Sequence, residues 1–232
     1  MSKTYEAFLL ALADSESSRR YDAVNTKGFL GKYQMGEEAL IDSGYYKRDG
    51  RISNSFNDGY WTGKDSIRSK QDFLRSSQAQ ENAIRDYMKI QWGYIIFHNL
   101  DRYVGQSVNG ILITTSGLLA GCHLGGHGNL NMFIKQGKEF KDDYKTRISG
   151  YVRKFAGYDS PFKPRKKLTA VQKNQKGVAT SYQLDTKEWV SKETAIQMVK
   201  NLELDGVLVT NSKGTVFLRT RPDHTTDNNL IA

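Results

Sequence analysis

The run from Asp14 to Gly36, D-S-E-S-S-R-R-Y-D-A-V-N-T-K-G-F-L-G-K-Y-Q-M-G, constrains the fold most, because two incompatible periodicities meet inside it. Ahead of it Tyr5, Phe8, Leu9 and Leu12 recur at i, i+3, i+4 and i+7, the apolar stripe of an amphipathic helix, which puts Glu16 in the last helical turn. Beyond it Gly28, Gly31 and Gly36 punctuate Tyr21, Val24, Phe29 and Tyr33, which reads as a short hairpin. The chain must therefore end a helix on a carboxylate and turn at once into a tight ribbon. Cys122 is the single cysteine, so no intrachain disulfide holds that junction and packing alone must do so.

The remaining pattern predicts an α+β chain: a mostly helical domain with a small β-ribbon, then a small C-terminal α+β domain. Glu37 to Ser43 reads as a short helix, and Gly44 to Gly63 as a polar loop whose Tyr60 and Trp61 are either a platform for a ring-shaped ligand or a core anchor. Ser77 to Phe97 is a strong helix, and Ile111 to Leu124 a second apolar one. Gly125, Gly126 and Gly128 must break the latter, since each glycine costs about 1 kcal/mol in a helix interior. Helices over 129–135 and 147–155 complete the first domain, residues 1–158. Residues 159–177, with Pro161, Pro164, Arg165, Lys166 and Lys167, read as a basic linker. In 178–232 a strand is expected at 178–184, a helix capped by Ser191, and a hairpin pairing 207–210 with 215–219.

Three motifs carry a resemblance. Glu16-Ser17 with Gly31-Lys32-Tyr33-Gln34-Met35 resembles the Glu-Ser and Gly-x-x-Gln-Met motifs of the lysozyme-like lytic transglycosylases, which cut bacterial peptidoglycan. Ala120-Gly121-Cys122-His123-Leu124-Gly125 is similar to their Ala-Tyr-Asn-x-Gly, with His123 at the Asn position. Gly150 to Phe155 is similar to their Tyr-Val-x-x-Val. The wording Arg-Tyr-Asp-Ala-Val-Asn and His-Leu-Gly-Gly is that of phage-like and secreted antibacterial variants. The C-terminal run from Arg219 to Leu230 is similar to the closing motif of a small bacterial domain family of uncharacterised role, which implies no chemistry.

Cleaving a glycosidic bond requires a proton delivered to the leaving oxygen, and Glu16 is the expected general acid/base. A helix C-terminus disfavours a negative charge there. The resemblance implies that Tyr33 and Gln34 line the cleft beside the acid and that the hydroxyl of Tyr151 reaches its carboxylate; Tyr151 as a plain core aromatic is the alternative. His123 can make the contact of the family Asn while adding charge at acid pH. Asn25 and Thr26 on the ribbon could orient water or sugar. A hydrolase would need a second carboxylate, ~5 Å away for retention or ~6.5 to 9.5 Å for inversion. Asp22 is the candidate, or else a turn residue; a transglycosylase needs none. Cys122 with His123 does not make a peptidase pair, because neighbours on a helix point about 100° apart. Cys122, His123 and His127 lack the spacing of a zinc site. No metal and no cofactor is expected.

The net charge of +9 asks for an anionic partner. Nucleic acid would bring a basic helix or aromatic ribonucleoprotein strings, and the chain has neither; charge alone does not choose a partner, and the resemblance to the glycosidases is what points to anionic cell wall. No stretch reaches the ~20 apolar residues of a membrane span, and the start lacks a signal peptide's order. The expectation is a peptidoglycan glycosidase acting on the MurNAc-GlcNAc strand, made in the cytoplasm and working in the periplasm or wall of a target bacterium. The C-terminal domain would meet secretion machinery such as a type VI apparatus, and a cognate immunity protein would be a second partner. The alternatives are a phage endolysin and a peptidoglycan-binding protein without catalysis.

Overall fold

The computed structural model describes residues 3–50, 53–211 and 214–220 and divides the chain into two compact units, Met1–Lys163 and Pro164–Ala232. The fold is α+β. No helix among the described residues is long and apolar enough to cross a membrane.

In the first unit α1 (Tyr5–Ser17) is started by Thr4, whose hydroxyl accepts from the Ala7 amide at 3.2 Å, and is stopped by Ser18 and Arg19, both at positive φ. It buries Phe8, Leu9 and Leu12. The chain then doubles back in the ribbon, where Val24 bridges Leu30 and Leu30 bridges Met35. α2 (Glu37–Asp42) and α3 (Lys70–Arg75) follow, then α4 (Ser77–Phe97), which runs through the core on Ala83, Ile84, Met88 and Ile95. α5 (Thr115–Gln136) and α6 (Ile148–Lys154) pack on each other and close one apolar core with α1 and α4.

One expectation needs correction here and two are sharpened. Ile111 to Leu124 is not one helix: β1 (Ser107–Val108) and β2 (Ile111–Leu112) form a hairpin across Asn109 and Gly110, both at positive φ. Asn-Gly between apolar residues is a strong short-range hairpin signal, and the helix waits for its cap at Thr114. The predicted break after Leu124 is a single residue, Gly126 at φ 74° and ψ 164°. Trp61 is the core anchor of its two readings, 7% exposed, with the rings of Tyr46, Phe56 and Phe73 at 5.4, 5.8 and 5.9 Å.

The stretch 159–177 is not a linker. β3 (Leu168–Lys173) lies within it and pairs antiparallel with β4 (Ala179–Leu184), which pairs with β5 (Trp189–Ser191). Its basic start is packed as well: Arg165 is buried and meets Asp205 at 3.3 Å. Prolines and charge mislead because Leu168 and Val171 still point inward. α7 (Lys192–Lys200), capped by the Ser191 hydroxyl, and the hairpin of β6 (Val207–Thr210) and β7 (Val216–Arg219) complete the unit around Tyr182, Leu184 and Leu218. The closing motif from residue 221 onward and the turn residues 212–213 lie outside the described residues.

Candidate active site

Glu16 ends α1 with its side chain 17% exposed. The Tyr151 hydroxyl donates to its Oε1 at 2.7 Å, and His123 Nε2 stands 3.5 Å from the same oxygen. No described residue hydrogen-bonds to Oε2. Burial first, and then the adjoining Glu16 charge, push the Tyr151 phenol upward, so it keeps its proton and acts as a donor. The tyrosine is itself steadied: its oxygen lies 3.3 Å from Ser15 Oγ, to which Lys154 Nζ donates at 2.7 Å. One residue on, the Ser17 hydroxyl donates to the Lys32 carbonyl at 2.8 Å and ties the end of α1 to the ribbon.

His123 comes from α5, just before the break at Gly126. Its ring packs edge-on against Tyr87 at 5.9 Å, and its Nδ1 is buried without a partner among the described residues. Gln34 sits at φ 46°, a conformation a side chain adopts only where the surroundings impose it. Gly31 imposes it: Gln34 Nε2 donates to the Gly31 carbonyl at 2.9 Å, and a Cβ on Gly31 would lie 2.1 Å from Gln80 Oε1. Gln80 in turn accepts from the Lys32 amide and donates to the Tyr21 and Phe73 carbonyls, so the ribbon is pinned to α4.

Glu16, Gln34, His123 and Tyr151 are thus brought together, and Asn25 joins them as part of the lining. Asn25 also caps the ribbon turn, its Oδ1 accepting from the Lys27 and Phe29 amides. Thr26 is on the rim, its hydroxyl 3.0 Å from that of Tyr144. Tyr33 does not line the cleft: it is 1% exposed and donates to both oxygens of Glu81, while Gln34, next in the same tight turn, takes the cleft side. Asp22 is exposed, pairs with Arg20 at 3.3 Å and lines neither recess described next, which makes it the turn residue of its two readings.

Two recesses meet at Phe29, Gln34 and His123. The smaller, about 120 Å³, is lined by Glu16 and, from the loop between α5 and α6, by Asp142, Asp143 and Tyr144. The larger, about 360 Å³, reaches Glu37, Glu38, Asn54 and Tyr87. Asp142, Tyr144 and Glu37 escaped the sequence reading. Glu37 lies two residues after the Gly-x-x-Gln-Met motif, and that closeness was a usable signal; the loop residues had none. Cys122 is fully buried and its thiol is pushed up by burial, while His127 turns to His98 at 2.9 Å and stacks on Tyr94.

Residues 167–232 are similar to a family described as Protein of unknown function (DUF3892). No curated protein and no solved structure matches the chain. The matched stretch lies in the second unit, which has its own recess of about 720 Å³ edged by Lys173, Lys192 and Arg219 around Tyr182 and Phe217. It is larger than either of the other two recesses, and its described lining holds no carboxylate, imidazole or thiol. The candidate chemistry stays with Glu16.

Proposed function

We propose that the first unit is a lysozyme-like peptidoglycan glycosidase that cleaves the bond between N-acetylmuramic acid and N-acetylglucosamine, with Glu16 as general acid/base. One observation carries the reading: a half-enclosed carboxylate at a helix end receives a hydrogen bond at 2.7 Å from a tyrosine that stays protonated, brought from far along the chain. In this mechanism Tyr151 holds Oε1, Oε2 presents the proton to the leaving glycosidic oxygen, and His123 and Gln34 bound the space where the sugar sits. Completion follows one of two courses. The substrate's 6-hydroxyl closes a 1,6-anhydro ring as Glu16 takes back the proton, or water adds with a second carboxylate's help. For the second course Asp142 and Asp143 line the recess with Glu16, and Asp22 does not.

The test is digestion of purified peptidoglycan followed by mass spectrometry of the fragments. Anhydro ends identify a transglycosylase and reducing ends a muramidase. Binding to insoluble wall with no soluble release by wild type would replace this reading with that of a non-catalytic wall binder.

For the biological setting, the proposal is an antibacterial effector whose second unit serves delivery by a secretion apparatus, with an immunity protein as its counterpart in the producing cell. The separate core of the second unit supports it. A chain cut after Lys163 is expected to digest purified peptidoglycan at the full-length rate and to lose killing in co-culture. The cut belongs there and not at Tyr158, because Phe162 packs on Tyr5 and Trp92 at 6.2 and 5.9 Å. If truncation also abolishes digestion, the second unit belongs to catalysis and the delivery reading falls.

A further inference from the structure

The larger recess at the candidate site contains an acid that the mechanism does not use. Glu37, the first residue of α2, is 5% exposed, and its Oε2 is buried with no hydrogen-bond partner among the described residues. Its backbone is provided for: the Glu37 amide donates to Asn54 Oδ1 at 2.8 Å, and Asn54 Nδ2 is fixed on the Lys27 carbonyl at 2.9 Å. Only the carboxylate is left over. Across the recess His123 Nδ1 is buried and unpartnered in the same way. Two buried polar atoms without a described partner therefore line one cavity, and a buried polar group without a partner is costly enough to call for one.

The charges around Glu37 say what kind of donor fits. Glu38 lines the same recess, Asp49 acts on Glu37 from nearby, and the neighbouring cation, Arg48, is spent on both oxygens of Glu38 at 2.7 Å each. Burial first, then Asp49 and Glu38, push the Glu37 carboxyl up from its ordinary value. In a chain of net charge +9 this is a local inversion, an acidic hole in a basic protein. Phe29, Met35, Ala39 and Tyr87 give the lining an apolar part beside the polar Gln34, Ser53 and Asn54. A ligand with several N–H donors, a positive charge and a short alkyl stem satisfies the Glu37 carboxylate, the charge and the wall together.

We infer that the Glu37 recess binds a primary ammonium group of the substrate, beside the point of cleavage at Glu16. The inference rests on the glycosidase reading. On a cell-wall glycan that chemistry has two sources, the free side-chain amine of an uncross-linked peptide stem and the amine of a de-N-acetylated sugar.

The experiment compares full-length protein on untreated sacculi and on sacculi whose free amines have been N-acetylated. Peptide-free glycan strands, with and without de-N-acetylation, form the second pair of substrates. Wild type is expected to lose about tenfold in kcat/KM when the amines are blocked, mostly through KM, the scale of one hydrogen bond to a charged group. E37Q is expected to show no such ratio. A loss confined to sacculi names the stem amine as the source, and a gain on de-N-acetylated strands names the sugar. Wild type that cleaves blocked and untreated sacculi alike, and strands alike, overturns the inference while the glycosidase reading stands. No cleavage of any substrate overturns that reading, and this inference with it. Should E37Q fail to fold, E37D, with the charge one methylene shorter, must shrink the ratio, and an undiminished ratio overturns the assignment to Glu37.

Discussion

Glu16 and Glu81 are enclosed to nearly the same degree, 17% and 20% exposed at the side chain, and each accepts a hydrogen bond from a tyrosine. Their surroundings are otherwise opposite. Glu81 faces two cations, Lys32 Nζ at 2.6 Å and Arg85 at 3.0 Å, with Tyr21 and Tyr33 filling the remaining acceptor positions at 3.0 Å. Burial, the largest single influence on Glu81, works to raise its carboxyl; the hydrogen bonds from Lys32, Tyr33 and Arg85 together outweigh it and hold it below the ordinary value. Glu16 has a tyrosine, a histidine and, among the described residues, no lysine or arginine in contact. Burial alone therefore does not separate the two carboxylates. The fixed counter-charges do, and Glu81 is a strut that locks ribbon to α4.

The largest expected effect is a reciprocal pair. Glu16→Gln should lower peptidoglycan cleavage by about 10³-fold while leaving the urea midpoint where it was. Glu81→Gln should strand Lys32, itself 11% exposed, and cost about 3–5 kcal/mol of stability, with turnover per folded molecule preserved. Activity assays and urea titrations on both variants decide it, and a destabilised E16Q or a fully stable E81Q would erase the distinction. Next in size come the tyrosines. Tyr151→Phe should reduce kcat about 10- to 100-fold, on the low side of general acid-base effects, at a stability loss of about 1 kcal/mol. Tyr33→Phe should show the stability loss alone.

Acid sharpens the comparison further. The folded pKa of Glu81 lies below its unfolded value, so its contribution to stability is present above the ordinary 4.5 and is lost as pH falls through the lowered folded value. Urea midpoints followed downward from pH 5 should therefore drop more steeply in wild type than in Glu81→Gln, and parallel curves would show that folding does not lower the Glu81 carboxyl.

The contrast also explains what was legible in the sequence. Glu16, Gln34, His123 and Tyr151 were singled out by the short motifs that carry the resemblance, and the structure gathers all four. Tyr33 was misassigned because a motif match does not say which way a residue in a tight turn points, and the deciding partner, Glu81, is remote in the chain. Arg165 and β3 were hidden for a related reason: proline and positive charge describe a linker locally, and only the distant Asp205 and β4 reveal packing. The Asn109-Gly110 hairpin was readable and was overridden by the apolar run after it.

The smallest effect tests the rim on the Glu16 side, where, unlike at Glu81, the contacts that close over the acid are weak. The loop between α5 and α6 turns through Asp142 and Thr146, and reaches the ribbon at two points: Tyr144 to Thr26 at 3.0 Å, and Asp143 to Lys27 at 3.1 Å with side chains 68% and 52% exposed. Exposed pairs of this kind are worth about 0–1 kcal/mol, so the loop can give way to a glycan strand at little expense. The Tyr144 ring is itself 57% exposed over the recess that Glu16 lines, the arrangement in which an aromatic face can stack on a sugar. Tyr144→Ala is therefore expected to raise KM about 2- to 10-fold, the scale of one ring contact, with kcat unchanged and stability within about 0.5 kcal/mol. Tyr144→Phe separates ring from hydroxyl: if stacking is its role the phenylalanine variant keeps the wild-type KM, whereas an equal rise in both variants would mean that the bond to Thr26, and with it the closed position of the loop, is what the substrate depends on.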